Sequence, residues 1–218
     1  MKKNRFVLAA VVTLIGAFGA CAPAFATVSF TNSFTTFQSL SITSLEATFE
    51  GILTEGIISN PYTEGRVTFT NPSNLYNARP GGPAAVFDFD APVTSNVLTV
   101  SGNEDITMTF SGPAPTAVGF TSLTNRFDAP TVSVFDLSNS LIGSYVLTQS
   151  PGTVGFVGIT SSVGIGSVRW LAVLGGVRDT AIDNVYVGVA VVPAPSSYAL
   201  MVGGLLALLG IARRRKTT

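Results

Sequence analysis

Between Thr27 and Val192 the chain is a succession of short apolar runs broken by Gly, Pro, Asn and Ser. No long stretch there repeats its apolar residues at helical spacing. Alternation with period two recurs instead, as in strands with one buried face. Val28-Ser29-Phe30 opens with it. Residues 45–49 fit a strand or a short helix. Residues 66–70, 86–89 and 96–100 alternate. Ile106, Met108 and Phe110 share one face of the next strand, with Thr107 and Thr109 on the other. After Ser111-Gly112-Pro113-Ala114-Pro115 come a strand over residues 117–120 and a pair over 131–137 and 141–147. Ser138-Asn139-Ser140 joins that pair as a hairpin turn. Residues 154–159, 168–174 and 182–189 complete the set. Roughly ten strands at this spacing predict a β-sandwich or barrel. The amphipathic helices that a parallel α/β sheet needs between its strands are missing.

The two ends follow another pattern. Lys2, Lys3 and Arg5 precede an apolar run over residues 6–20, and Ala24-Phe25-Ala26 supplies the small-x-small pattern cut by signal peptidase. Residues 1–26 therefore read as a secretory signal peptide, with Ala24 and Ala26 at the cleavage site and Thr27 first in the mature chain. Gly19-Ala20-Cys21 matches a lipoprotein site faintly, because Phe18 fits poorly there. At the other end Pro193-Ala194-Pro195 stops the last strand, since proline fixes φ and gives no ladder donor. Residues 196–212 then form an apolar run that would be about 25 Å long as a helix. That is near the lower limit for crossing a bilayer. Arg213, Arg214, Arg215 and Lys216 follow and favour the cytoplasmic side. Taken alone, this tail reads as a membrane anchor.

The order of Pro-x-Pro, short apolar helix and terminal basic cluster resembles the PEP-CTERM sorting signal of exported bacterial proteins. The resemblance implies recognition by an exosortase, a membrane-embedded cysteine protease, through Pro193, Ala194 and Pro195 and through Arg213, Arg214 and Arg215. Ala194 stands where that family usually has Glu. It implies three segments: a signal peptide over 1–26, a folded domain over 27–190 and a sorting signal over 191–218. It also implies transient anchoring in the inner membrane, tail removal, and delivery to the cell surface or extracellular matrix. Within the domain, Phe110-Ser111-Gly112-Pro113, Ala117-Val118-Gly119-Phe120, Val134-Phe135-Asp136, Phe156-Val157-Gly158-Ile159, Gly164-Ile165 and Ile182-Asp183-Asn184-Val185 occur in that order. Over residues 65–185 this resembles the jelly-roll-type domain often found in such proteins, itself similar to carbohydrate-binding sandwiches. The expected fold is an antiparallel, jelly-roll-like β-sandwich. The implied role is structural or adhesive, with extracellular polysaccharide as a candidate partner. A plain membrane-anchored envelope protein and a secreted polysaccharide-active enzyme are the alternatives.

Charge and composition narrow the chemistry. The formal net charge is zero, but seven of the twelve cations sit in the two terminal segments. Residues 27–192 hold five arginines against twelve carboxylates, a net charge of −7. That argues against nucleic acid as a partner, because such affinity rests on basic surfaces. The chain has no histidine, and its one cysteine is Cys21 in the signal segment. The Ser-His-Asp and Cys-His nucleophile systems and the ordinary His/Cys zinc sites have no residues to be built from. The glycines lie between strands, which leaves no phosphate-binding loop. The chain is expected not to be an enzyme.

Carboxylates and aromatics remain. Asp88 and Asp90 share one strand face and read as solvent-facing, as ligands of calcium, or as an acid and base on a glycosidic bond. Glu104-Asp105 reads as a turn. For Asp183, the resemblance to carbohydrate-binding sandwiches implies a structural Ca²⁺ ion; the local alternative is a bond to a neighbouring backbone group. Trp170, between Arg169 and Leu171 in an apolar strand, reads as core. Tyr62, Tyr145 and Tyr76 are candidates for stacking on sugar rings. Tyr76 comes first, in the polar stretch Asn74-Leu75-Tyr76-Asn77 that reads as an exposed loop.

Overall fold

The structure is a computed structural model that describes residues 26–80, 89, 92–101, 105–124, 130–147, 153–171 and 180–191. Ala24, the sorting-signal residues Pro193, Ala194, Pro195, Arg213, Arg214 and Arg215, and the carboxylates Asp88 and Asp90 lie outside the described residues. Among the described residues no helix is long and apolar enough to cross a membrane.

Two antiparallel sheets form a β-sandwich. The eight-stranded sheet runs β1 (Val28–Thr31), β12 (Gly155–Ser161), β9 (Ala117–Thr124), β14 (Thr180–Ala190), β7 (Val97–Ser101), β6 (Asn74–Ala78) and β3 (Gly56–Ile57). Its remaining strand, β2 (Ser41–Ala47), also pairs with β14. The six-stranded sheet runs β11 (Leu141–Val146), β10 (Thr131–Asp136), β13 (Ile165–Leu171), β8 (Ile106–Phe110), β5 (Val67–Thr70) and β4 (Tyr62–Glu64). A short helix, α1 (Phe34–Leu40), lies between β1 and β2.

Period-two alternation supplies the core. Leu98, Val118, Phe120, Val157, Ile159, Ile182 and Val187 of the larger sheet meet Val67, Phe69, Ile106, Met108, Val132, Val134 and Val168 of the smaller. Trp170 is 0% exposed and sets its ring edge-on to Phe120 at 5.4 Å. It links the two sheets, as core packing predicts. The hairpin at 136–140 forms as read from the sequence. Asp136 Oδ1 accepts the backbone N–H groups of Ser138 and Ser140 at 2.9 and 2.8 Å. Its bonds to Ser138 and Ser140 hold its carboxyl below the ordinary range.

The structure decides or corrects four points. Residues 45–49 end a strand: β2 stops at Ala47, and Phe49 turns into the core at φ 59°. That conformation is uncommon for a bulky residue. Here Glu64 supports it, because its carboxylate accepts the N–H groups of Thr48 (2.9 Å) and Phe49 (3.2 and 3.3 Å). The stretch Asn74-Leu75-Tyr76-Asn77 is strand β6 and not a loop. Its polar residues hid a strand whose Leu75 and Asn77 are both buried. Helix α1 has seven residues, too few for a periodicity to show, and Ser33 caps it by accepting the Thr36 N–H at 3.2 Å. The described strands number fourteen, because β3 and β4 are too short to alternate visibly.

Candidate functional site

The outer face of the larger sheet carries a feature that strand patterning does not require. In register, Gly119 of β9 lies opposite Gly158 of β12 on one side and Tyr186 of β14 on the other. Two neighbouring positions therefore lack side chains. Gly inside a strand often marks a close approach by another group. The group here is Phe37 of α1, which is 0% exposed. A Cβ at Gly119 would come 2.7 Å from the Phe37 ring, and one at Gly158 would come 2.8 Å from it. Phe34, one helical turn before Phe37 and on the same side, lies edge-on to Phe156 at 5.2 Å and tilted over Tyr186 at 5.0 Å. Phe37 completes the cluster at 5.5 Å from Phe156.

Tyr186 reaches this face because β14 is bulged. Ile182, Val185 and Val187 all point into the core. Strict alternation from Ile182 would have turned Tyr186 inward as well. The register with β9 shifts between Asp183 and Tyr186, and Asn184 adopts φ 47°. Such an extra residue re-aims the side chains beyond it. The same point is where β14 changes partner, from β7 at Ala181 and Ile182 to β2 at Val185 and beyond.

Asp183 closes the bulge. Its Oδ1 accepts the Asn184 backbone N–H at 2.7 Å, and its Oδ2 accepts from Ser95 Oγ at 2.6 Å and Asn184 Nδ2 at 2.8 Å. The residue is 3% exposed. Burial pushes its carboxyl above the ordinary value, partly offset by the bonds from Ser95 and Asn184; Glu50 and Glu64 add smaller upward pushes. Both oxygens face N–H or O–H protons, so the local reading, a bond to neighbouring backbone, describes what the group does here. Among the described residues no three His, Cys, Asp or Glu side chains gather in a set that could hold a metal ion.

Beside the aromatic cluster opens a groove of about 460 Å³. Phe34, Phe156 and Tyr186 form its apolar side. Asn32, Thr121, Thr153 and Asn184 bring amides and hydroxyls to its rim. Among the described residues, none lining it is Asp, Glu, Lys or Arg. Concave sites that mix aromatic rings with a few placed polar groups suit small ligands.

The tyrosines singled out from the sequence lie elsewhere. Tyr76 is half-buried and packs against Ala78, Val97, Leu123 and Ala181. Burial, and Glu55 after it, raise its hydroxyl above the ordinary value. Tyr145 stacks on Phe30 at 5.3 Å. Tyr62 donates to Glu64 at 2.9 Å and packs with Phe49 and Phe69. Tyr186 was missed because it sits in an apolar strand. The pair of in-strand glycines and the Phe34/Phe37 spacing were the available signals.

No family model and no curated protein matches the chain. Among solved structures it is similar to the enzymatically active domain of tailspike protein 4 from bacteriophage CBA120, at 12% identity and a TM-score of 0.26. The match covers 76% of this chain and 19% of that one. A likeness of this size carries no conclusion about chemistry.

Proposed function

We propose that this chain is an exported bacterial protein of the cell envelope or extracellular matrix, built around one jelly-roll-like β-sandwich that binds or builds and does not catalyse. The observation that carries the reading is how five of the seven described carboxylates are used. Glu46, Glu50, Glu64, Asp136 and Asp183 each accept a backbone N–H: those of Arg66, Asn96, Thr48, Ser138 and Asn184 respectively. A carboxylate committed to closing a turn gives up a structural bond when it turns to a substrate. Hydrolysis of a glycosidic bond would need two free carboxyl groups converging at about 5–9.5 Å. The chain also crosses between sheets at nearly every step from β7 to β14, which supports the jelly-roll-like reading.

Export rests on the cleavage residues Ala24 and Ala26. Sorting rests on Pro193-Ala194-Pro195 and Arg213 to Arg215 in the resemblance to the PEP-CTERM signal. In this reading the tail holds the protein in the inner membrane until an exosortase removes it. Intact-mass and C-terminal peptide analysis of protein from its native cells tests this. A chain from Thr27 to near Pro193, and loss of that cleavage in cells without the exosortase, is expected. Recovery of Arg213 to Lys216 on the membrane-bound protein overturns sorting.

A further inference from the structure

We infer that the groove beside Phe34, Phe156 and Tyr186 binds a neutral glycan. The inference deepens the adhesive reading above and rests on it. Three observations favour that ligand class. The apolar side is built of rings, and the C–H faces of a sugar pack on rings as other apolar surfaces do. The polar side offers Asn32, Thr121 and Asn184, amides and a hydroxyl that both donate and accept, as sugar hydroxyls do. No charged side chain lines the groove among the described residues, while residues 27–192 carry a net charge of −7. An anionic polysaccharide would meet repulsion with no cation in the groove to offset it. A neutral one meets none.

The site is also held in place from below. Phe37 pins α1 onto Gly119 and Gly158, which fixes Phe34. The bulge tied by Asp183 fixes Asn184 and turns Tyr186 outward. Groups whose positions are set before binding lose less freedom on binding. Tyr186 touches Phe34 of the helix and lines the groove together with Asn184, so a sugar seated there packs against it.

The full chain, purified in mild detergent, is titrated calorimetrically with cellohexaose, maltohexaose and mannohexaose, and with oligogalacturonate as the anionic probe. Binding of at least one neutral hexaose is expected, with no binding of oligogalacturonate. Tyr186→Ala should weaken it about tenfold or more, the scale of one lost ring contact. Tyr186→Phe should keep most of it, and Tyr76→Ala should leave it unchanged. Unaltered Trp170 fluorescence shows that each variant is folded. The proposal is overturned if none of the three hexaoses binds, if Tyr186→Ala binds as well as wild type, or if oligogalacturonate binds more tightly. Mass analysis of the protein from native cells separates the two readings. Tail removal without hexaose binding leaves export standing and removes the groove. Hexaose binding by a protein that keeps its tail does the reverse.

Discussion

The seat of Phe37 on the glycine pair can be tested by a double-mutant cycle. Phe37→Ala removes a ring that is 0% exposed, a loss that costs about 3–5 kcal/mol in protein cores. The full cost applies here because α1 has seven residues, well short of the ~12–15 at which helices become marginal alone. Without Phe37 the helix is left with the contacts of half-buried Phe34 on Phe156 and Tyr186. Gly119→Ala places a Cβ 2.7 Å from the Phe37 ring and 2.8 Å from the far end of the Phe156 ring. Overpacking of that kind costs about 1–3 kcal/mol. With the Phe37 ring gone, its contacts with the new methyl vanish and the Phe156 ring can swing into the space it left. The double variant should therefore cost at least ~1 kcal/mol less than the two single costs combined, a coupling typical of residues in contact. The chain has one tryptophan, Trp170, and it is buried, so its emission reports global unfolding in denaturant. Phe37→Ala should lower the thermal midpoint by roughly 6–20 °C for a chain of this size. If the two costs add within ~0.5 kcal/mol, or if Phe37→Ala costs under ~1 kcal/mol, α1 is not seated as described. Phe34 would then not be fixed, and the groove would lose its apolar wall.

Further outcomes follow from single groups. Burial first, and Glu64 second, push the Tyr62 hydroxyl up from 10.0 to about 12. The unfolded chain loses that proton first, so stability falls as pH rises from 10 towards 12. Denaturant midpoints across this window should show a slope that Tyr62→Phe lacks, and equal slopes would refute it. Asp183 is raised by burial above its ordinary 3.8, so the folded state binds that proton more tightly than the unfolded state. As pH falls from neutral towards 3.8, wild type should gain stability relative to Asp183→Asn; a flat or opposite difference would refute the shift. Asn139 has φ 61° in the hairpin turn, where a β-branched residue costs roughly 1–2 kcal/mol. Thermal midpoints should therefore fall for Asn139→Val and stay near wild type for Asn139→Gly.

Much of the sandwich was legible because a buried face imposes period two. Ile106, Met108 and Phe110 against Thr107 and Thr109 needed nothing else, and Trp170 declared itself by its apolar neighbours. The misreadings have physical causes. In Asn74-Leu75-Tyr76-Asn77 the buried Asn77 bonds through its amide to the Thr54 carbonyl at 3.0 Å. A polar residue inside looks, by composition, like a loop. Phe49 enters the core from a turn at positive φ, held by Glu64, which stands fifteen residues away. No local pattern reports such a partner. Phe34 and Phe37 were passed over because one pair at helical spacing does not distinguish a helix from chance.

The bulge in β14 shows where the limit lay. The sequence does contain the break in parity. Ile182 and Val185 are three apart, whereas Val185 and Val187 are two apart, so no unbroken strand can bury all three. Asn184, between them, is one of the few residues that tolerate a positive φ. Once all three are known to be buried, these features place the bulge at 183–184. The next step cannot be taken that way. Asp183 is buried at the point where β14 leaves β7 for β2, and one of its bonds comes from Ser95, eighty-eight residues earlier in the chain. An Asp beside an Asn at a strand reads as a cation ligand or as a turn cap, and the sequence does not show the long-range donor. In the structure Ser95 Oγ donates to Asp183, as to a cap, and the bulge it ties turns Asn184 and Tyr186 outward, where the groove needs them.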